Sequence, residues 1–297
     1  MATAEKQRVK TSLSEDRSIV LGAQILVGFQ YRAVFEPRFA ALPPGAQYLQ
    51  VAALVLLVAS MALMIAPASY HRIAAAGQAT AAMERYTTRM ALFALAPFAL
   101  ALAVDFGVAL GEQLGLPGAC ALGAAAAFVA LLCWFGPALV RRRPAEPRED
   151  EMVPTKERIT ELLTESRIVL PGVQALLGFQ FASYLTEAFK TLSPAGQAVN
   201  TISLLCLVLA MVLLMTPAPY HRLAEGGEDT EQFERVVERL VLASLLPLAL
   251  GVAGDVFVVT DVVLGAAAGI AIAAACAIGM AALWFGVPLL AARRGPG

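Results

Sequence analysis

The sequence repeats itself at a constant offset of 150 residues, and the two copies align from end to end without a gap. The clearest match joins residues 67–73 to residues 217–223, where each stretch carries Tyr-His-Arg after a long apolar run. The same offset carries Asp105 onto Asp255. A tandem duplication of this length predicts two copies of one structural unit.

Long apolar runs place the chain among membrane proteins. Hydrophobic residues make up 59% of the chain, charged residues 15%, and the mean hydropathy is +0.70. Each copy holds four runs that approach the roughly 20 residues needed to cross a bilayer. The sequence therefore predicts an all-α polytopic membrane bundle of eight spans. Because four is an even number, the two four-helix repeats are predicted to be parallel, with pseudo-two-fold symmetry about the membrane normal.

The ends of the apolar runs set the predicted boundaries. A polar N-terminal segment covers residues 1–17, the first repeat 18–143, a linker rich in proline and charge 144–163, and the second repeat 164–297. Pro67 is expected to end the second span, and residues 155–164 to form a separate short helix. The predicted spans are about 18–35, 48–66, 89–110 and 116–140, then about 168–185, 198–216, 239–260 and 263–290.

Lysine and arginine are distributed unevenly between the two sides of these spans. With the N-terminus placed in the cytoplasm, all of the 22 Lys and Arg residues face the cytoplasm except Arg32, Arg38 and Lys190. The positive-inside rule then predicts that both termini are cytoplasmic, in a multi-pass protein of the inner membrane. No cleavable signal peptide is expected, because residues 1–17 are polar.

Asp105 and Asp255 are acids within apolar spans, and two interpretations of them remain open. An acid inside a membrane is costly unless it faces protein or water, so it is typical of an ion or proton site. It can equally be a tether that pairs with Arg32, Lys190 or a serine. Four glutamines, two in the first span of each repeat, allow either a polar pathway or hydrogen bonds between helices: Gln24, Gln30, Gln174 and Gln180.

The Tyr-His-Arg stretches hold the chain's two histidines. The favoured interpretation is an interfacial cluster that anchors each helix end near lipid headgroups. The alternatives are a metal, haem or quinone site formed by one histidine from each repeat, or a proton-responsive gate. One histidine per repeat is too few for a recognisable metal motif. The cluster comprises Tyr70, His71, Arg72, Tyr220, His221 and Arg222.

Small residues recur every four positions in the fourth span of each repeat, a pattern that favours close helix packing. Gly115, Gly123, Gly265 and Gly269 are the glycines of this pattern. Trp134 and Trp284 are expected in an aromatic belt at the membrane surface.

No hydrolase, nucleotide-binding, metalloprotease or nucleic-acid motif is present, and none of the four cysteines forms a C-x-x-C pair. We therefore expect no enzymatic activity, no cofactor and no nucleic-acid partner. The expected partners are the lipid bilayer and a small ion or solute. A single repeat could build the same bundle as a homodimer, so the duplicated chain is predicted to be a pseudo-dimer that can act as a monomer.

The second repeat resembles a family of small bacterial four-span membrane proteins of unknown function. The resemblance rests on Glu165, Arg167, Leu-Pro-Gly at 170–172, Gln174 and Pro-x-x-Tyr-His-Arg-Leu at 217–223. It implies a helical membrane fold and an inner-membrane location, and it implies no activity. The first repeat departs from the pattern, with Leu21 in place of Pro171.

Three functions are compatible with these patterns. The favoured one is a structural, accessory or sensing membrane module, because enzyme motifs are missing. The second is a channel or transporter for a small ion or solute that uses Asp105 and Asp255. The third is a haem- or quinone-binding protein that uses His71 and His221.

Overall fold

A computed structural model describes residues 20–74, 81–140, 155–217, 220 and 230–293. The regular elements in these ranges are all helices, as the composition predicts. In the first repeat they are α1 (20–33), α2 (Pro37–Ala40), α3 (Pro44–Ile73) and α4 (Ala81–Val140). In the second they are α5 (Thr155–Ser183), α6 (Glu187–Lys190), α7 (Pro194–Met215), α8 (Glu231–Leu264), α9 (Ala266–Ala281), a π-helical turn (Ala282–Gly286) and α10 (Val287–Arg293).

Five helical segments in the described ranges are long and apolar enough to cross a bilayer, which fits a membrane protein. Two shorter apolar helices, Pro117–Val129 and Val169–Ser183, lie where further spans are predicted. Eight spans therefore stay a prediction. The five long segments are Pro44–Ile73, Arg85–Asp105, Pro194–Met215, Glu231–Leu264 and Ala266–Arg293.

Two predicted helix boundaries are wrong. Helix α3 continues through Pro67 to Ile73. A proline inside a helix removes one backbone donor, and here Ile65 and Ala66 are fully buried beside it, so packing holds the helix together. Helix α5 likewise runs from Thr155 through Pro171, so the separate short helix predicted at 155–164 is instead its first turns.

Side-chain caps fix the starts of two helices in the second repeat. The Ser193 hydroxyl accepts a hydrogen bond from the Gly196 amide (2.9 Å), with Pro194 as the first helical residue. The Thr230 hydroxyl accepts one from the Phe233 amide (3.0 Å) at the start of α8. Both caps satisfy amides that the helix itself cannot pair.

The two repeats share the same internal packing. Helix α3 packs along α4 in the first repeat, and α7 packs along α8 in the second. Between repeats, α3 contacts α8 and the π-helical turn. The indole of Trp284 is wholly buried at that contact and donates a hydrogen bond to the Ala62 carbonyl of α3 (2.9 Å). Trp284 therefore joins the repeats and does not belong to the predicted surface belt.

Helices α1 and α5, the first helices of the two repeats, cross each other closely. A Cβ at Gly28 would collide with the Phe179 ring, and one at Gly172 would collide with the Gln24 side chain. The rings of Phe29 and Phe179 also meet, with centroids 4.8 Å apart. The absence of side chains at these two glycines is what lets α1 and α5 approach.

Candidate functional site

One glutamine and one aspartate are hydrogen-bonded in each repeat. The Gln30 amide donates to Asp105 Oδ1 in the first repeat, and the Gln180 amide donates to Asp255 Oδ1 in the second. Four residues singled out separately from the sequence thus form two equivalent pairs. The first pair joins α1 to α4, and the second joins α5 to α8.

The pair in the second repeat is the more buried and the more elaborate. Asp255 and Gln180 are 0% exposed, whereas Asp105 is only half-buried. The Ser203 hydroxyl lies 2.8 Å from Asp255 Oδ1 and 2.6 Å from the Gly251 carbonyl, and it accepts from the Gln180 amide at 2.6 Å. These side chains come from α5, α7 and α8, so the carboxyl sits where three helices meet.

Glycine makes room for this arrangement. A Cβ at Gly254 would lie 2.7 Å from the Ser203 Cβ, and one at Gly251 would lie 2.7 Å from the Leu207 side chain. Contacts that short do not occur between carbon atoms. The two glycines of α8 therefore let α7 bring Ser203 up to the carboxyl.

A second polar layer lies one helical turn away and includes a residue of the other repeat. The Tyr31 hydroxyl, on α1, donates to Asn200 Oδ1 and lies 2.9 Å from the Ser183 hydroxyl. Ser183 donates in turn to the Gln180 carbonyl (2.7 Å). All three side chains are buried. The first repeat thus completes the polar cluster of the second.

Several polar atoms of this cluster are closed off from solvent and have no hydrogen-bond partner in the described part of the chain. They are Asp255 Oδ2, Gln180 Oε1 and Asn200 Nδ2. Buried polar atoms are nearly always paired, and each unpaired one calls for a physical explanation. Asp255 also has no ion pair among the described residues.

The two repeats differ at the positions that build this cluster. The positions equivalent to Ser203 and Ser183 hold Ala53 and Ala33, and the position equivalent to Tyr31 holds Phe181, which is 55% exposed. Among the described side chains, the site in the first repeat therefore lacks these serine and tyrosine hydroxyls and keeps the bond between Gln30 and Asp105. The elaborated site belongs to the second repeat alone.

The remaining two glutamines lie away from both acids. Gln24 is fully buried against Gly172, while its equivalent Gln174 is exposed. Neither glutamine is hydrogen-bonded to an aspartate in the described residues. The four glutamines thus do not form one pathway in this arrangement.

The cations considered as partners for the acids lie elsewhere. Arg32 pairs with Glu36 (2.9 Å) and Lys190 with Glu187 (3.0 Å), each within its own turn of chain. Of the tether partners considered, only a serine, Ser203, contacts Asp255. The hydrogen bonds of the cluster join helices without neutralising the acid.

The interfacial anchor predicted for the Tyr-His-Arg residues stays a prediction, and two of its side chains in the first repeat are buried. His71 and Arg72 are 6% and 3% exposed at the end of α3, because that end packs into the protein. The tyrosine rings stack instead on the following helix, Tyr70 on Tyr86 (4.2 Å) and Tyr220 on Phe233 (6.3 Å). His221 and Arg222 lie outside the described residues, so the histidine pair is not defined. In the described ranges no three His, Cys, Asp or Glu side chains gather as a metal site.

The four glycines predicted to pack helices divide into two kinds. Gly123 follows the break of α4 at Gly115 and faces the part of α4 before that break, where a Cβ would collide with the Ala103 carbonyl. Gly269 of α9 faces α8, where a Cβ would lie 3.2 Å from Phe257. For Gly115 and Gly265 the packing prediction is wrong. They have positive φ angles of 67° and 84°, and no helix lies close to the position of a Cβ. They form the turns between consecutive helices, a backbone conformation that suits glycine.

Sequence reasoning missed Tyr31, Ser183, Asn200 and Ser203. A usable signal was present for the serines and the asparagine, which are polar residues in or beside apolar spans. Tyr31 gave no such signal, because tyrosine is ordinary near a span end and its counterpart is phenylalanine.

Comparison with known proteins identifies the family of the chain but does not indicate an activity. The sequence profile of a family of unknown function, DUF6328, matches the chain twice, over residues 4–137 and 149–288. Two matches in tandem are consistent with the duplication read from the sequence. No curated protein and no solved structure matches the chain. Since the two matches together cover most of its length, the chain belongs to this family of unknown function.

Proposed function

We propose that the protein is a sensing membrane module whose second repeat binds a proton at Asp255. The observation that carries the proposal is the environment of that carboxyl. It is fully buried in a helix long and apolar enough to cross a membrane, has one unpaired oxygen, and has no cation paired with it in the described residues. Acids in this setting are rare and are functional by default.

Packing favours a proton over a metal ion or an organic solute. The unpaired oxygens Asp255 Oδ2 and Gln180 Oε1 are closed off from solvent, and Gly251 and Gly254 already allow the closest approach of α7. A cation of atomic size would have to push the three helices apart. A proton binds without requiring space.

Substitution of the acids separates this proposal from a purely structural role. Asp255→Asn keeps the shape of the side chain and removes the ionisable group, and we expect it to abolish one titrating carboxyl band in infrared spectra of the full-length protein. Asp261→Asn, in the same helix and hydrogen-bonded to Ser193 (2.9 Å), is the matched control and should leave that band in place. Asp105→Asn tests whether the half-buried acid of the first repeat contributes.

A purely structural role for Asp255 predicts a different set of results. If Asp255 is only a tether, the parent lacks the assignable band, and Asp255→Asn lowers the melting temperature because buried partners are left unpaired, at about 1–3 kcal/mol. A pH-sensitive dye in liposomes then separates sensing from transport. Proton flux that is lost in Asp255→Asn would instead support the channel or transporter alternative.

The proposed orientation places both termini and the linker in the cytoplasm, as the Lys and Arg distribution predicts. Reporter fusions after Asp150 and after the last residue should both report the cytoplasm. Reports from opposite compartments would rule out an even number of spans in the second repeat.

A further inference from the structure

Asp255 lies between two unlike environments along the second repeat. We call the end of the bundle that carries α2 and α6 the turn end. Gln180 and Ser183 are three residues apart on α5, and Asn200 and Ser203 are three apart on α7, so each helix supplies two polar layers one turn apart. The layer of Tyr31, Ser183 and Asn200 is the one nearer the turn end.

Two further polar contacts lie near the surface at the turn end. The Tyr184 hydroxyl donates to Thr201 Oγ1 (2.9 Å), and the Ser193 hydroxyl donates to Asp261 Oδ2 (2.9 Å), both at exposed positions. Hydroxyl and amide groups at successive depths lower the free energy of bringing water or a proton inward.

The opposite direction is apolar. Below Asp255 the three helices contribute buried aliphatic side chains, with Ser244 bonded to the Val241 carbonyl of its own helix (2.7 Å). Gln24, against Gly172 on α5, is a polar side chain on this side, and it is not bonded to the cluster. The aliphatic side chains are Leu177, Val173, Leu207, Leu214, Leu248 and Val241.

We propose that Asp255 exchanges its proton with the turn end of the bundle and not with the opposite end, through the layer that Tyr31 completes. This rests on the proposed function and adds its direction. A hydronium ion at the turn end gives up one proton and becomes water, the proton binds to Oδ2, and the charge of the carboxyl changes from −1 to 0. The site then reports the acidity of one compartment without connecting the two.

The titratable and charged groups around Asp255 are few among the described side chains. Tyr31 on α1 is titratable, whereas Gln180 on α5 and Ser203 on α7 carry no charge. The other such groups on the packed helices include Cys206 on α7, Cys276 on α9, Asp261 nearer the turn end of α8 and the charged first turns of α8. Arg32 on α1 and Tyr48 on α3 lie toward the turn end, and Tyr70, His71 and Arg72 lie at the far end of α3.

The test uses the full chain in sealed vesicles, with the pH changed rapidly on the outside only. Exposed Lys190 marks the turn end, so a membrane-impermeant amine reagent and mass spectrometry show which vesicles carry that end outward. The infrared band removed by Asp255→Asn should respond at once in those vesicles. In the reverse orientation it should respond only after a proton ionophore is added.

Two substitutions test the route itself. Tyr31→Phe keeps the ring and removes the hydroxyl, and the exchange rate at the turn end should fall about tenfold, equivalent to one hydrogen bond. Gln24→Leu, the control on the apolar side, should leave the rate unchanged.

The outcomes separate the two proposals. A band that responds equally from both sides, or a rate that falls in Gln24→Leu and not in Tyr31→Phe, would overturn the inference and leave proton binding intact. A parent protein with no titrating Asp255 band would overturn the proposed function, and the inference with it. Melting curves of both variants show that each rate comes from a folded protein.

Discussion

Trp284→Ala is expected to destabilise the protein by about 3–5 kcal/mol, the range for removing a fully buried large aromatic side chain. The indole is 0% exposed and fills the contact between the π-helical turn and α3. Its ring nitrogen also donates to the Ala62 carbonyl. The substitution therefore leaves a cavity and removes a hydrogen bond at the junction of the repeats. Thermal melting of the detergent-solubilised protein measures the loss.

Trp284→Phe is the matched control for that experiment. It keeps an aromatic ring in the contact and loses the donor, so its effect should be smaller, with about 1 kcal/mol from the hydrogen bond. A Trp284→Ala variant that melts with the parent would show that the two repeats are not held together at this residue.

Gly123→Ala is expected to be the second most damaging change, at about 1–3 kcal/mol or more, as for overpacking of a tight core. The new methyl group would collide with the Ala103 carbonyl. A backbone atom cannot swing aside as a side chain can, so the helices must separate. Gly269→Leu should act in the same way in the second repeat, where Phe257 and the Asp261 amide are 3.2 Å from the position of a Cβ.

Gly279→Ala separates packing from helix propensity. Outside its own turn of helix, no described atom lies within 4 Å of a Cβ at Gly279, and alanine in a helix is better than glycine by about 1 kcal/mol. The melting temperature of Gly279→Ala should therefore equal or exceed that of the parent protein. A Gly123→Ala variant with a melting temperature as high as that of Gly279→Ala would show that the two parts of α4 on either side of Gly115 do not approach this closely.

The sequence predicted the components of the site better than their arrangement. Asp255 and Gln180 stood out because polar residues inside apolar spans are unusual. Their hydrogen bond depends on how the first and third spans rotate about their axes, which a pattern along one helix does not determine. Tyr31 could not be predicted for a related reason. It hydrogen-bonds to residues of the other repeat, while its own counterpart there is Phe181.

Local patterns also left the environment of some residues undetermined. Trp284 was assigned to a surface belt because it lies near a span end, but a π-helical turn and the α3 contact enclose it. The four-residue spacing of glycines did foresee close contact for Gly123 and Gly269. The spacing could not distinguish these two packing glycines from Gly115 and Gly265, because a glycine in a turn can lie at the same four-residue spacing.

Those two turn glycines have a consequence for how the chain enters a membrane. At Gly265 one residue separates α8 from α9, and Gly115 is the single non-helical residue at the equivalent place within α4. A connection this short carries no polar loop that must be moved across the lipid. In the membrane arrangement that the sequence predicts, we expect each pair of helices to enter the lipid together, as a hairpin whose two helices already pack against each other.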